Sequence, residues 1–161
     1  MKFKAHGFTE HELFFMQEVL DDERAWRVKF QRVDKNPDFL IFKTPGKVID
    51  ESYPPHIRGL SVCDRAEKPW KIHFRKENWD AIPAPSGYTS LAAYRVYVIL
   101  HEFGHILGHG HARCLKPGPA PVMMQQTVGT GVCYPDPWVQ WPGKTPPSKE
   151  SETTIIEIDS E

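Results

Sequence analysis

Thr9-Glu-His-Glu12 has the form of a helix capping box, and Leu13, Met16, Gln17 and Leu20 then recur at three- and four-residue intervals. This predicts a helix over 9–22, ending near Asp21-Asp22. Trp26, Val28 and Phe30 alternate with Arg27, Lys29 and Gln31, the period of a half-buried strand. Phe39-Leu-Ile-Phe42 is a short apolar run between Asn36-Pro37 and Pro45-Gly46, so it reads as a more buried strand, and further strands are expected at Gly59–Cys63 and Lys71–Arg75. Three prolines and one glycine between Pro45 and Ile57 predict a loop, as does Pro83-Ala-Pro85-Ser-Gly87. Thr89 or Ser90 can then cap a helix from Leu91 to about Leu107, whose Val96, Ile99 and Leu100 bury its back. Beyond His111, prolines at 117, 119, 121, 135 and 137 argue against regular structure. The stretch 143–161 is polar and predicts a disordered tail, although Thr153–Ile158 can add an edge strand. The expected organisation is one domain over 1–142 followed by that tail.

The second helix carries the chemistry. It spells His101-Glu102-Phe-Gly-His105-Ile-Leu-Gly108-His-Gly-His111. Positions four apart share a helix face, so His101 and His105 present imidazoles to a common point. A third ligand cannot come from the same straight helix, because position 109 would lie roughly 12 Å along the axis from His101. Zn–N bonds of about 2.0–2.1 Å forbid that spread. The chain must turn, and Gly108 stands where a left-handed C-cap turns it, with Gly110 adding freedom before His111. The third ligand is therefore His111 and not His109. Three protein ligands leave a tetrahedral ion one open position, as in catalytic rather than structural zinc sites. Glu102, about 100° round the helix from His101, can reach a water without binding the metal, which makes it the candidate general base.

Composition narrows the partners. Lys and Arg total 20 against 21 Asp and Glu, so there is no basic field to attract nucleic acid. At 161 residues one core is expected. The start, Met-Lys-Phe-Lys-Ala-His-Gly-Phe, lacks the apolar run of a signal peptide, and no window approaches eighteen apolar residues. The expectation is a monomer, cytoplasmic or packaged in a particle, with no membrane contact. Three cysteines leave at least one unpaired in a monomer. Cys114 and Cys133 flank the segment after the zinc motif, either as a disulfide or as two buried thiols; a second zinc site using Cys114 is short of ligands. Cys63 is expected to pack in a strand, a latency role as a zinc thiolate being the alternative. His109, His73 and His56 read as solvated or supporting rather than ligating.

The extended motif resembles that of the metzincin clan of zinc peptidases. Ala120-Pro-Val-Met123-x-Gln-Gln-Thr127 and Cys133-x-Pro-x-Pro-Trp138 look like the pattern of a bacterial family of short metzincin-like domains of unknown function, a likeness reaching back through Arg95-Val-Tyr-Val98 and the 19–33 region. The resemblance implies an α+β fold: a small twisted mixed sheet with a backing helix and an active-site helix, then an irregular C-terminal subdomain. It also implies a methionine turn beneath the metal, at Met123, and offers Tyr134 as a possible oxyanion stabiliser. Ala112, following the third histidine, matches none of the well-known secreted groups.

The function expected from these residues is a zinc-dependent endopeptidase holding one zinc per chain. Its substrate is a protein or peptide lying extended along an edge strand, for which Lys71–Arg75 is the candidate. The alternatives are a catalytically silent, zinc-stabilised binding module, against which Glu102 argues, and a zinc hydrolase of a non-protein amide such as a cell-wall peptide link.

Overall fold

The structure, a computed structural model, describes residues 1–141 and the backbone of 158–160. Its strands are β1 (Lys2–His6), β2 (Gln31–Arg32), β3 (Phe39–Thr44), β4 (Val62–Asp64), β5 (Trp70–Arg75) and β6 (Ile158–Ser160). Its α-helices are α1 (Glu10–Asp21), α2 (Gly46–Ser52), α3 (Lys76–Asp80) and α4 (Leu91–Ile106). The strands form one mixed sheet in the order β2-β1-β3-β5-β4-β6, parallel from β2 to β5 and antiparallel at β4 and β6. The fold is α+β.

Alternation along β1, β3 and β5 sends Phe3, Phe39, Ile41, Ile72 and Phe74 to one face, all essentially inaccessible. There α1 and α4 cover them, and Phe103 of α4 meets the rings of Phe3, Phe30 and Phe39 edge-on at 4.9–5.5 Å. A smaller cluster of Ile49, Ile57, Leu60 and Val62, with Tyr53 against it, packs beneath α2.

The capping box forms as expected: Glu12 N donates to Thr9 Oγ1 and Thr9 N to Glu12 Oε1. Four differences from the sequence reading stand out. Residues 26–30 bury Trp26 and Phe30 but form no strand; Arg27 has φ +59, which breaks an extended run, and only Gln31–Arg32 pair with β1. The expected loop after Pro45 holds α2, whose first amide, on Gly46, is taken by Glu77 Oε1 at 2.7 Å, a partner supplied from α3. β1 and α3 are further elements that the pattern did not predict. Finally, Lys71–Arg75 lies between β3 and β4, so it is no edge and cannot receive a substrate strand; the outer positions belong to β2 and β6. The tail expectation falls mostly outside the described residues, but Ile158–Ser160 pair with β4 rather than being disordered.

Among the described residues no helix is long and apolar enough to cross a membrane.

Candidate metal centre

Ser90 caps α4, its Oγ accepting from Ala93 N at 3.2 Å, and the helix then runs unbroken through both predicted ligands. The rings of His101 and His105 stand 4.8 Å apart and nearly perpendicular. The helix ends where Gly108 adopts φ +93. Gly108 N donates to His105 O at 2.9 Å and His109 N to Gly104 O at 3.0 Å, the paired bonds of a Schellman turn. Only glycine enters that region without strain. The reversed chain brings the His111 ring to 5.5 Å from His101 and 4.8 Å from His105.

One ring nitrogen from each of His101, His105 and His111 lies within 4.8 Å of the others. Tetrahedral Zn–N geometry needs about 3.4 Å between nitrogens, so an ion held here would require the set to draw inward by roughly an ångström. His101 and His105 are buried while His111 is exposed, which leaves the centre open on one side.

The donor set suits a cation. His101 Nδ1 lies 2.7 Å from Val122 O and His105 Nδ1 lies 2.8 Å from His109 O. A carbonyl only accepts, so both Nδ1 atoms carry the proton and Nε2 keeps its lone pair for a metal. Burial first, then the neighbouring His101 and His111, hold the pKa of His105 well below its usual value. Three imidazoles packed this closely favour the neutral, ligating form.

The floor of the site is the turn Pro121–Met124, closed by Met124 N to Pro121 O at 2.9 Å. Met123 is fully buried, and its carbonyl accepts from Ala112 N at 2.9 Å, tying the turn to the residue after His111. Its sulfur needs the bare backbone of Gly104: a Cβ there would come within 2.5 Å of Met123 Sδ and 2.7 Å of Trp26. Tyr97 secures the other end of the turn, donating to Met124 O at 2.8 Å and accepting from Gln126 N at 2.9 Å. Glu102 follows His101 on the helix with both carboxylate oxygens buried.

The sequence motif thus leads to residues that the structure gathers: His101, His105, His111, Glu102 and Met123. His109 instead stacks on Trp26 at 4.5 Å, and His73 lies across the sheet, stacked on Phe42 and bonded to Thr44 at 2.8 Å. Cys63 is buried in β4. Sequence reading missed four supports. Arg65 donates to His105 O at 2.6 Å and Trp26 Nε1 to Leu100 O at 2.8 Å, both across long stretches of chain with no local signal. Buried Gln126 bonds Pro121 O, Asp136 O and Tyr88. Only Tyr97, one turn before His101, was marked by its spacing.

The family described as "Protein of unknown function (DUF3152)" matches residues 2–133, which is most of the chain. The chain belongs to the DUF3152 family. No curated protein and no solved structure matches it. The DUF3152 match spans all three imidazoles and the methionine turn, and ends at Cys133. That cysteine is bridged to Cys114, closing a segment of 19 residues that contains the turn. The bridge is one of the two alternatives expected for this pair. Tyr134, next to the bridge, is held through its backbone by Gly118 and Ala120, and its ring is 59% exposed.

Proposed function

We propose that this protein is a zinc-dependent endopeptidase of metzincin type, with His101, His105 and His111 as the ligands and Glu102 as general base. The observation that carries this reading is the convergence of three imidazole nitrogens within 4.8 Å across the Gly108 turn, with a buried carboxylate at the next position after the first ligand. A zinc ion held there would acidify water and polarise a carbonyl.

The chain's own residues account for the rest. Glu102 takes a proton on its carboxylate as water adds to the peptide carbonyl, and returns it to the departing amine nitrogen as the C–N bond breaks. Val122 O and His109 O hold the two buried rings in orientation through Nδ1. An open groove of about 500 Å³ begins at Ala112 and Arg113 beside His111 and is lined by Met124, Val128 and Val132. Its apolar wall suits one substrate side chain beside the scissile bond.

The test is cleavage of a broad peptide library by the purified chain, with and without a chelator, alongside Glu102→Ala. Cleavage that a chelator stops, zinc restores and Glu102→Ala lacks is the expected result. Equal activity in parent and variant would remove Glu102 from the mechanism, and a zinc-loaded chain that cuts nothing would leave a binding module.

A further inference from the structure

The lobe that follows His111 carries its charge and its apolar surface unevenly. Positions 103–135 hold Arg113 and Lys116 and no aspartate or glutamate, in a chain with 21 acidic residues. Leu115, between those two cations in sequence, is 89% exposed, and Val132 is 69% exposed. Apolar side chains left this far out of the core, close together in one lobe, mark a surface that meets a partner. The backbone beneath them is fixed: Cys114 is bridged to Cys133, Tyr134 N donates to Gly118 O at 3.0 Å and Ala120 N to Tyr134 O at 2.9 Å. A patch held in this way loses little conformational freedom when it binds.

A hollow lies within this patch. It has a volume of about 200 Å³, is walled by Leu115, Lys116 and Pro119, and shares Arg113 and Cys114 with the groove beside His111. No acidic residue lines either concavity. An apolar wall with two cations fits an aliphatic side chain flanked by carboxylates. A flat lipid surface would leave the hollow unfilled. We propose that this second cavity is a docking site, separate from the metal groove, for an acidic segment of the protein substrate in which Asp or Glu neighbours Leu, Ile or Val. Binding there stands on the cavity and its charge. That the bound segment belongs to a substrate rests on the peptidase reading, through the wall that the two concavities share.

The test uses the full chain carrying Glu102→Gln, so that binding is read without cleavage. Three dye-labelled peptides of equal length serve as probes in fluorescence anisotropy: alternating glutamate and leucine, alternating lysine and leucine, and alternating glutamate and serine. The glutamate–leucine peptide is expected to bind about tenfold more tightly than either of the others, and added salt should weaken it. Arg113→Glu together with Lys116→Glu should reverse the order, so that the lysine–leucine peptide becomes the tighter ligand. A gain of that kind separates the effect from loss of fold.

Equal affinity for the glutamate–leucine peptide and either of the others, or an order that the double reversal leaves unmoved, overturns the docking site. So does a chain that binds none of the peptides and sediments with phosphatidylglycerol vesicles, which would give the patch to a membrane. Reversed preference alongside a parent that cleaves nothing upholds the docking site and sinks the peptidase reading instead. Glu102-dependent cleavage with the same kcat/KM for substrates with and without a glutamate–leucine segment removes the claim that the bound segment belongs to the substrate.

Discussion

The hydroxyl of Tyr97 links α4 to the turn that holds Met123: it donates to Met124 O at 2.8 Å, accepts from Gln126 N at 2.9 Å and lies 3.3 Å from His101 Nδ1. Tyr97→Phe removes both hydroxyl bonds and leaves Met124 O and Gln126 N only their contact with each other at 2.8 Å, a loss of about 1–3 kcal/mol for two hydrogen bonds. Groups that orient metal ligands typically change affinity by about 10–100-fold. Competition with a calibrated chelator should therefore show Tyr97→Phe binding zinc at least tenfold more weakly than the parent.

Glu102→Gln keeps the shape of the side chain and removes its basicity. Peptide cleavage is expected to fall by about 10²–10⁴, while elemental analysis still finds about one zinc per chain. Loss of metal in this variant would mean that Glu102 serves the site structurally.

Gly104→Ala should destabilise the fold even though alanine is the better helix former by about 1 kcal/mol. The new methyl would collide with Met123 Sδ and the Trp26 ring, both held in the core. Overpacking of this kind costs about 1–3 kcal/mol. Denaturant titration measures it, and the added change Met123→Ala should recover part of the loss by making room.

Acid sensitivity should trace to Glu12. Burial alone would raise the pKa of its carboxyl, but bonds from Thr9 N, Lys43 and Trp79, together with the Lys43 charge, outweigh that and bring it from 4.5 to about 2. The unfolded chain then binds this proton more tightly than the folded one, so Glu12 contributes stability in full above about pH 4.5 and loses it as pH falls toward 2. Stability measured from pH 6 to 2 should decline less steeply in Glu12→Gln than in the parent. Parallel curves would reject the assignment.

The Cys114–Cys133 bridge closes 19 residues of chain around the methionine turn. In the chain-entropy account a loop of this size is worth about 3 kcal/mol. Replacing both cysteines by alanine should lower the melting temperature and weaken zinc binding together. A melting shift that leaves metal affinity unaltered would show that the bridge acts on the lobe but not on the site.

Legibility in the sequence followed the range of the forces involved. α1, α4 and β3 were readable because the capping box, helical periodicity and apolar run are all local. The Gly108 turn was readable because a third imidazole could join His101 and His105 in no other way. α2 was not, since its first amide is satisfied by Glu77 from a different helix, and neither was the irregular path of 26–30, where alternation of burial persists without a partner strand. Within the site, the motif named the residues that converge, whereas Arg65, Trp26 and Gln126 reach it through contacts that only the folded chain creates.

The Schellman reversal at Gly108 makes the spacing between the second and third imidazoles a gauge of fixed length. Adding a single residue among positions 108–110 would swing the outer imidazole round to the wrong side, whereas a similar insertion at Pro117-Gly118, farther round the bridged lobe, would pass with little effect on the ligands. Tolerance to lengthening should therefore drop abruptly on the few residues of chain directly after α4.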